Sequence, residues 1–83
     1  MIPATNIPTS VDEPNWEPLE RVLRPHECSE FMYMGRAGEI ELYKYYVTRR
    51  YLNIGRDSQK FYRYSEGKYV EVSQAEALDY VYR

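Results

Sequence analysis

The sequence predicts a small α+β domain: a short N-terminal helix, an antiparallel β-meander of four to five strands and a short C-terminal helix, with an extended Pro-containing N-terminal tail in front. Three observations carry that reading. The spacing of apolar residues changes from about 3.6 to 2 after Pro25, which marks a passage from helix to strand. Short breaks carrying Gly, Asp or Ser then recur between alternating segments, as in a meander. Finally, 83 residues leave room for one domain, residues 16–83, behind a tail of residues 1–15.

The tail, MIPATNIPTSVDEPN, holds three prolines and no periodic apolar pattern, so it reads as an extended segment. Asn15 is placed to cap a helix over Trp16–Arg24, in which Pro18 falls in the first turn, where its missing N–H has no partner to lose. Trp16, Leu19, Val22 and Leu23 form its apolar stripe. Pro25 ends it by pushing Arg24 into extended backbone, and one further turn over Pro25–Ser29 is compatible with the sequence. "FMYM" (Phe31–Met34) and "EIELYKYYV" (Glu39–Val47) flank Gly35–Gly38 as a first hairpin. "RYLNI" and "KFYRY" flank "GRDSQ" as a second, and Glu66-Gly67 makes a third tight turn before "KYVEV". Thr48–Arg50 has no Gly, Asn or Pro and reads as a turn or bulge. Ser73 with Glu76 three residues on forms a capping box for the closing helix, whose expected buried stripe is Ala75, Leu78, Val81 and Tyr82.

Composition removes several classes of function. A chain this short buries only about 60–65% of its unfolded surface and commonly relies on a staple. One cysteine forbids an internal disulfide, and His26 with Cys28 cannot complete a four-ligand zinc site, so no metal and no cofactor is expected. Association with a partner is the remaining staple. No stretch approaches the ~20 apolar residues of a membrane span. No basic segment followed by an apolar run opens the chain, so the expectation is a cytoplasmic protein, though its partner need not be soluble. The net charge of −2 is unfavourable for non-specific binding to nucleic acid.

Charge and aromatics are unevenly spread. Leu42–Tyr64 holds six tyrosines and six Lys/Arg against one acid, Asp57. Residues 1–41 carry eight acids against three arginines, net −5, and residues 42–83 eight bases against five acids, net +3. By alternation Leu52 and Ile54 face inward while Arg49, Tyr51 and Asn53 face out, beside Lys44, Lys60 or Arg63. Tyr, Trp, Met and Arg are the residues enriched at protein interfaces. The primary expectation is therefore a non-catalytic interaction protein, an accessory subunit of a larger protein complex. Its expected contacts are Ile2, Ile7 and Val11 of the tail with Trp16, Tyr33, Tyr43, Tyr45, Arg49, Arg50, Tyr51, Tyr62 and Tyr64.

Two other classes use the same stretch. Aromatic platforms beside cations bind single-stranded nucleic acid, although no RNP-like or glycine-rich phosphate motif accompanies them here. A toxin-type ribonuclease would draw on Arg49, Arg50, Lys60 and Tyr64. His26 and Cys28 stand two apart, a spacing that does not aim one at the other, and read as a surface histidine and a buried structural cysteine. Glu39 and Glu41 read as solvated charge on a strand.

Overall fold

A computed structural model describes residues 13–83. The contacts expected from Ile2, Ile7 and Val11 lie outside the described residues. The elements in chain order are α1 (Glu17–Glu20), α2 (Pro25–Cys28), β1 (Phe31–Ala37), β2 (Ile40–Tyr45), β3 (Tyr51–Gly55), β4 (Phe61–Ser65), β5 (Lys68–Val72) and α3 (Gln74–Tyr82). The five strands form one antiparallel sheet in sequence order, the α+β meander expected. No helix among the described residues is long and apolar enough to cross a membrane.

The N-terminal helix is shorter than the sequence suggests. Asn15 Oδ1 accepts the Glu17 N–H at 3.2 Å, but helix ends at Glu20 and a turn carries the chain to Arg24. Arg24 is extended, at ψ 158°, as the residue before Pro25 must be. A separate turn, α2, then starts on Pro25, with the Arg24 N–H donating to Glu27 Oε1 at 2.8 Å. Residues 13–15 already lie against the domain: Arg36 Nη2 donates to the Glu13 carbonyl and Tyr43 Oη to that of Asn15.

The core lies on one face of the sheet. Pairing in register puts Phe31, Tyr43, Tyr45, Leu52, Ile54 and Phe61 on that face, and Leu19, Cys28, Ala77 and Val81 cover it. Among the described residues all three helices share this side, and none covers the opposite face, with Met32, Lys44, Tyr51, Tyr64 and Tyr69. The buried stripe of α3 is Ala77 and Val81 with Leu78 at its edge; Ala75 and Tyr82, expected inside, are exposed. The helix is rolled from the expected orientation by two bonds to its last turn, from Thr48 Oγ1 to the Val81 carbonyl at 2.7 Å and from Arg50 Nη1 to that of Tyr80 at 3.1 Å. Its N-cap is as expected, Ser73 Oγ accepting the Glu76 N–H at 3.1 Å.

The turns differ in kind. Glu66 and Gly67 both have positive φ, 49° and 84°, the signature of a type I′ hairpin turn. The first hairpin turns at Gly38-Glu39, and Gly35, expected in the turn, sits inside β1 at a bulge after Tyr33. The two remaining loops are twins. After β2, Tyr45 N–H donates to Arg50 O and Arg49 N–H to Tyr45 O, with Arg49 at φ 67°. After β3, Gly55 N–H donates to Lys60 O and Gln59 N–H to Gly55 O, with Gln59 at φ 58°. In each a hydroxyl accepts the N–H two residues on: Thr48 from Arg50, Ser58 from Lys60. Arg49 and Gln59 thus hold a left-handed position that glycine usually fills.

Candidate functional site: an arginine cleft in a forked sheet

The sheet is forked between β3 and β4. β2 and β3 pair at five positions, as do β4 and β5, but β3 and β4 pair only at Asn53↔Tyr62 and Ile54↔Phe61. Beyond those pairs the strands part. Tyr51 and Leu52 on one side, and Arg63–Ser65 on the other, have no partner across the seam. A half-open cleft of about 430 Å³ occupies the gap, lined by Leu42, Arg49, Arg50, Tyr51, Asn53, Arg63, Tyr64, Tyr69 and Tyr80.

Each arginine is aimed by a different device. The loop after β2 is pinned to α3 through Thr48, which sets Arg49 at the mouth. Arg50 is anchored by its bond to the Tyr80 carbonyl, and its guanidinium lies 5.0 Å from the centre of the Tyr80 ring. The Arg63 guanidinium lies over the same ring at 4.6 Å. Each such contact is worth about 0.5–1 kcal/mol at an exposed site. None of the three forms an ion pair among the described residues, whereas Arg21, Arg36, Arg56, Lys60 and Arg83 all do. The cleft therefore concentrates three positive charges with no acid among its described walls.

Its floor is polar. Asn53 was expected to point outward; it does lie on the open face, but only 2% exposed. Its Nδ2 donates to the Tyr62 carbonyl at 3.2 Å, which fixes the amide orientation and leaves Oδ1 with no donor among the described residues. On the outer wall Tyr64 and Tyr69 pair across strands with rings 5.0 Å apart, edge to face, and Tyr64 is 62% exposed. Burial raises the Tyr69 hydroxyl above its ordinary pKa, with the neighbouring Tyr64 adding to it. Lys44 Nζ lies 5.9 Å from the centre of the Tyr51 ring.

The expected contact residues separate into two groups. Arg49, Arg50, Tyr51 and Tyr64 line the cleft, and Tyr62 stands half-buried beside Asn53. The others belong to the covered face. Tyr43 is 0% exposed and is a core residue, so it cannot present a side chain to a partner. Trp16 packs 5.6 Å from the Tyr43 ring and 6.1 Å from Tyr33, while Tyr45 packs against Phe31 and Tyr82 at 5.1 and 4.9 Å. These rings hold the helices onto the sheet. Lys60, a member of the expected ribonuclease set, is not a lining residue and lies 3.8 Å from Glu71. Tyr69 and Tyr80 do not stand out in the sequence. No local pattern marks them, because they reach the cleft only through strand pairing and the docking of α3.

A second cluster of charge is structural. Glu41, expected to be solvated, is 0% exposed and faces the core side opposite Arg36 and Ile54. It accepts from Tyr33 Oη, from Arg36 Nε at 3.1 Å and from Arg56 Nη1 at 3.0 Å. Burial alone would raise its pKa, but the hydrogen bonds from Tyr33, Arg56 and Arg36 outweigh it and hold the carboxyl below its ordinary value. Burial and the bond to Glu41 push the Tyr33 hydroxyl up to about 12. With every oxygen saturated by its own neighbours, this carboxylate locks β1, β2 and the start of the β3–β4 loop together.

Cys28 is buried, its pKa raised by burial and then by Glu20 and Glu27, while His26 is exposed. Among the described residues no three of His, Cys, Asp and Glu come together as metal ligands do. Comparison with protein-family models, with curated proteins and with solved structures gave no match.

Proposed function

We propose that the protein is a cytoplasmic, non-catalytic accessory subunit of a larger protein assembly, which it joins through the open face of its sheet. The observation that supports this most is the cleft at the fork: three arginines that form no ion pair among the described residues, two of them held by Tyr80 of α3, beside three tyrosines (Tyr51, Tyr64, Tyr69) of the face that no described helix covers. Arginine and tyrosine at the centre of a patch are the usual energetic anchors of protein interfaces. The lack of cover also fits a chain whose own core is small, since a partner seated there adds buried area. The tail residues Ile2, Ile7 and Val11 are a further proposed contact. Gentle lysis of source cells followed by tandem purification tests this reading: it predicts a protein partner at fixed stoichiometry, retained as salt is raised.

Contact with single-stranded nucleic acid is a second reading, favoured by the same unpaired arginines beside exposed tyrosines. It is the weaker one, because the Tyr80 ring already carries two guanidinium groups and Tyr64 and Tyr69 pack on each other, which leaves few free faces for bases. Its mark is affinity that falls steeply with salt.

A further inference from the structure

We propose that the cleft between β3 and β4 receives an acidic peptide segment of the partner, with Arg49, Arg50 and Arg63 taking its carboxylates and Asn53 taking a backbone N–H. This deepens the subunit reading and rests on it.

Charge is the first argument. Three guanidinium groups are held in one cleft with no acid among its described walls, while Arg36 of β1 and Arg56 of the β3–β4 loop share Glu41. Like charges held together repel. An incoming carboxylate relieves that repulsion and gains bidentate hydrogen bonds, for which the planar guanidinium is suited.

The shape of the cleft and its floor separate the ligand classes. At about 430 Å³ the cleft is of ligand-pocket size, which suits a few residues of extended peptide. The unpaired acceptor Asn53 Oδ1 requires a donor, which a peptide N–H supplies and a bare anion does not. A long polyanion is disfavoured by the surroundings: the chain is net −2, and Glu66, Glu71 and Asp79 flank the cleft elements β4, β5 and α3. A short acidic segment engages the arginines without reaching across those acids.

The test uses the full-length chain and three fluorescein-labelled probes: a short peptide alternating glutamate and serine, its glutamine counterpart, and an oligothymidylate of equal length. Fluorescence anisotropy is read at ~0.15 M salt, where charges farther apart than ~8 Å are screened. The glutamate peptide should saturate the wild-type protein, and the glutamine peptide should bind at least about tenfold more weakly, the loss of a charge-assisted hydrogen bond or two. Arg49→Gln and Arg63→Gln should each weaken the glutamate peptide about five- to tenfold, on the same ground. Lys60→Gln, outside the cleft, should leave it unchanged.

Equal affinity for the two peptides, no saturation by the glutamate peptide, or tighter binding of oligothymidylate would each overturn the inference. The peptide pair is compared on the wild-type chain, so the outcome does not depend on how a variant folds. Failure of the peptide test with the native complex intact overturns only this inference; a protein that purifies alone overturns the reading beneath it.

Discussion

The guanidinium groups of Arg50 and Arg63 lie over one ring, that of Tyr80, at 5.0 and 4.6 Å. Arg50 enters from the loop before β3, Arg63 from β4 and Tyr80 from α3, so three elements distant in sequence converge where the sheet parts. The ring stands where a counter-ion would otherwise be expected. It holds both cations in place, Arg50 also through the bond from its Nη1 to the Tyr80 carbonyl, and neither guanidinium forms an ion pair among the described residues.

Tyr80 should therefore behave as a positioning residue. Tyr80→Phe keeps the ring and should leave affinity for an acidic peptide within about twofold, since the face supplies the attraction. Tyr80→Leu should weaken binding about five- to tenfold through the loss of both contacts, each about 0.5–1 kcal/mol. Anisotropy on variants with wild-type circular dichroism decides. Equal binding by Tyr80→Leu would remove the platform role.

Arg49 combines a strained backbone with a place in the cleft. At φ 67° it holds the left-handed conformation, and replacing it with glycine should stabilise the fold by about 0.5–1 kcal/mol. The same change removes one of the three cleft cations and should weaken the peptide. A urea midpoint that rises while affinity falls is the expected pair of results, the trade-off common where strain sits in a functional site. A fall in both would show that the side chain supports the loop.

Glu41→Gln should destabilise the domain by about 2–3 kcal/mol. That is less than the ~3–5 kcal/mol for breaking a fully buried pair, because Arg36 and Arg56 keep some contact with water. The measurement is urea unfolding at neutral pH with an unchanged slope. A loss below about 0.5 kcal/mol, the scale of an exposed pair, would contradict the structural role given to this carboxylate.

The pH dependence follows from the same cluster. The Glu41 pKa is lower in the folded chain, so its stabilisation is present above the ordinary carboxyl value of ~4.3 and is lost as pH falls through the depressed folded value. Tyr33 is raised, so its stabilisation is complete below the ordinary ~10 and is lost as pH climbs to about 12. Tyr43 is also raised, chiefly by burial, and adds to the alkaline loss. Urea midpoints against pH should show a plateau that falls at both ends, with a shallower alkaline slope in Tyr33→Phe. An alkaline slope unchanged in that variant would contradict the assignment.

The fold was legible wherever one local rule decided it. Alternation put Leu52 and Ile54 inside, Ser73 with Glu76 began α3, and Glu66-Gly67 closed the last hairpin. The loop at Thr48–Arg50 was harder because its left-handed residue is arginine; the signal lay in the match between "VTRR" and "DSQK", where a hydroxyl residue precedes the strained position. Burial of Glu41 was hidden, since the three donors that make it tolerable come from positions 33, 36 and 56. Of the candidate site, Arg49, Arg50, Tyr51 and Tyr64 were visible as a basic aromatic run. Alternation alone did not say which face the helices would cover, so core rings such as Tyr43 were grouped with surface ones.

The most direct test of the central claim is the native size of the untagged protein in gently lysed source cells treated with nuclease, run beside the Arg49→Gln/Arg63→Gln double variant. The wild-type protein should elute in a large nuclease-resistant particle, and the double variant should shift to its own monomer size. A wild-type protein that elutes alone, or a particle that collapses on nuclease treatment, would contradict that claim.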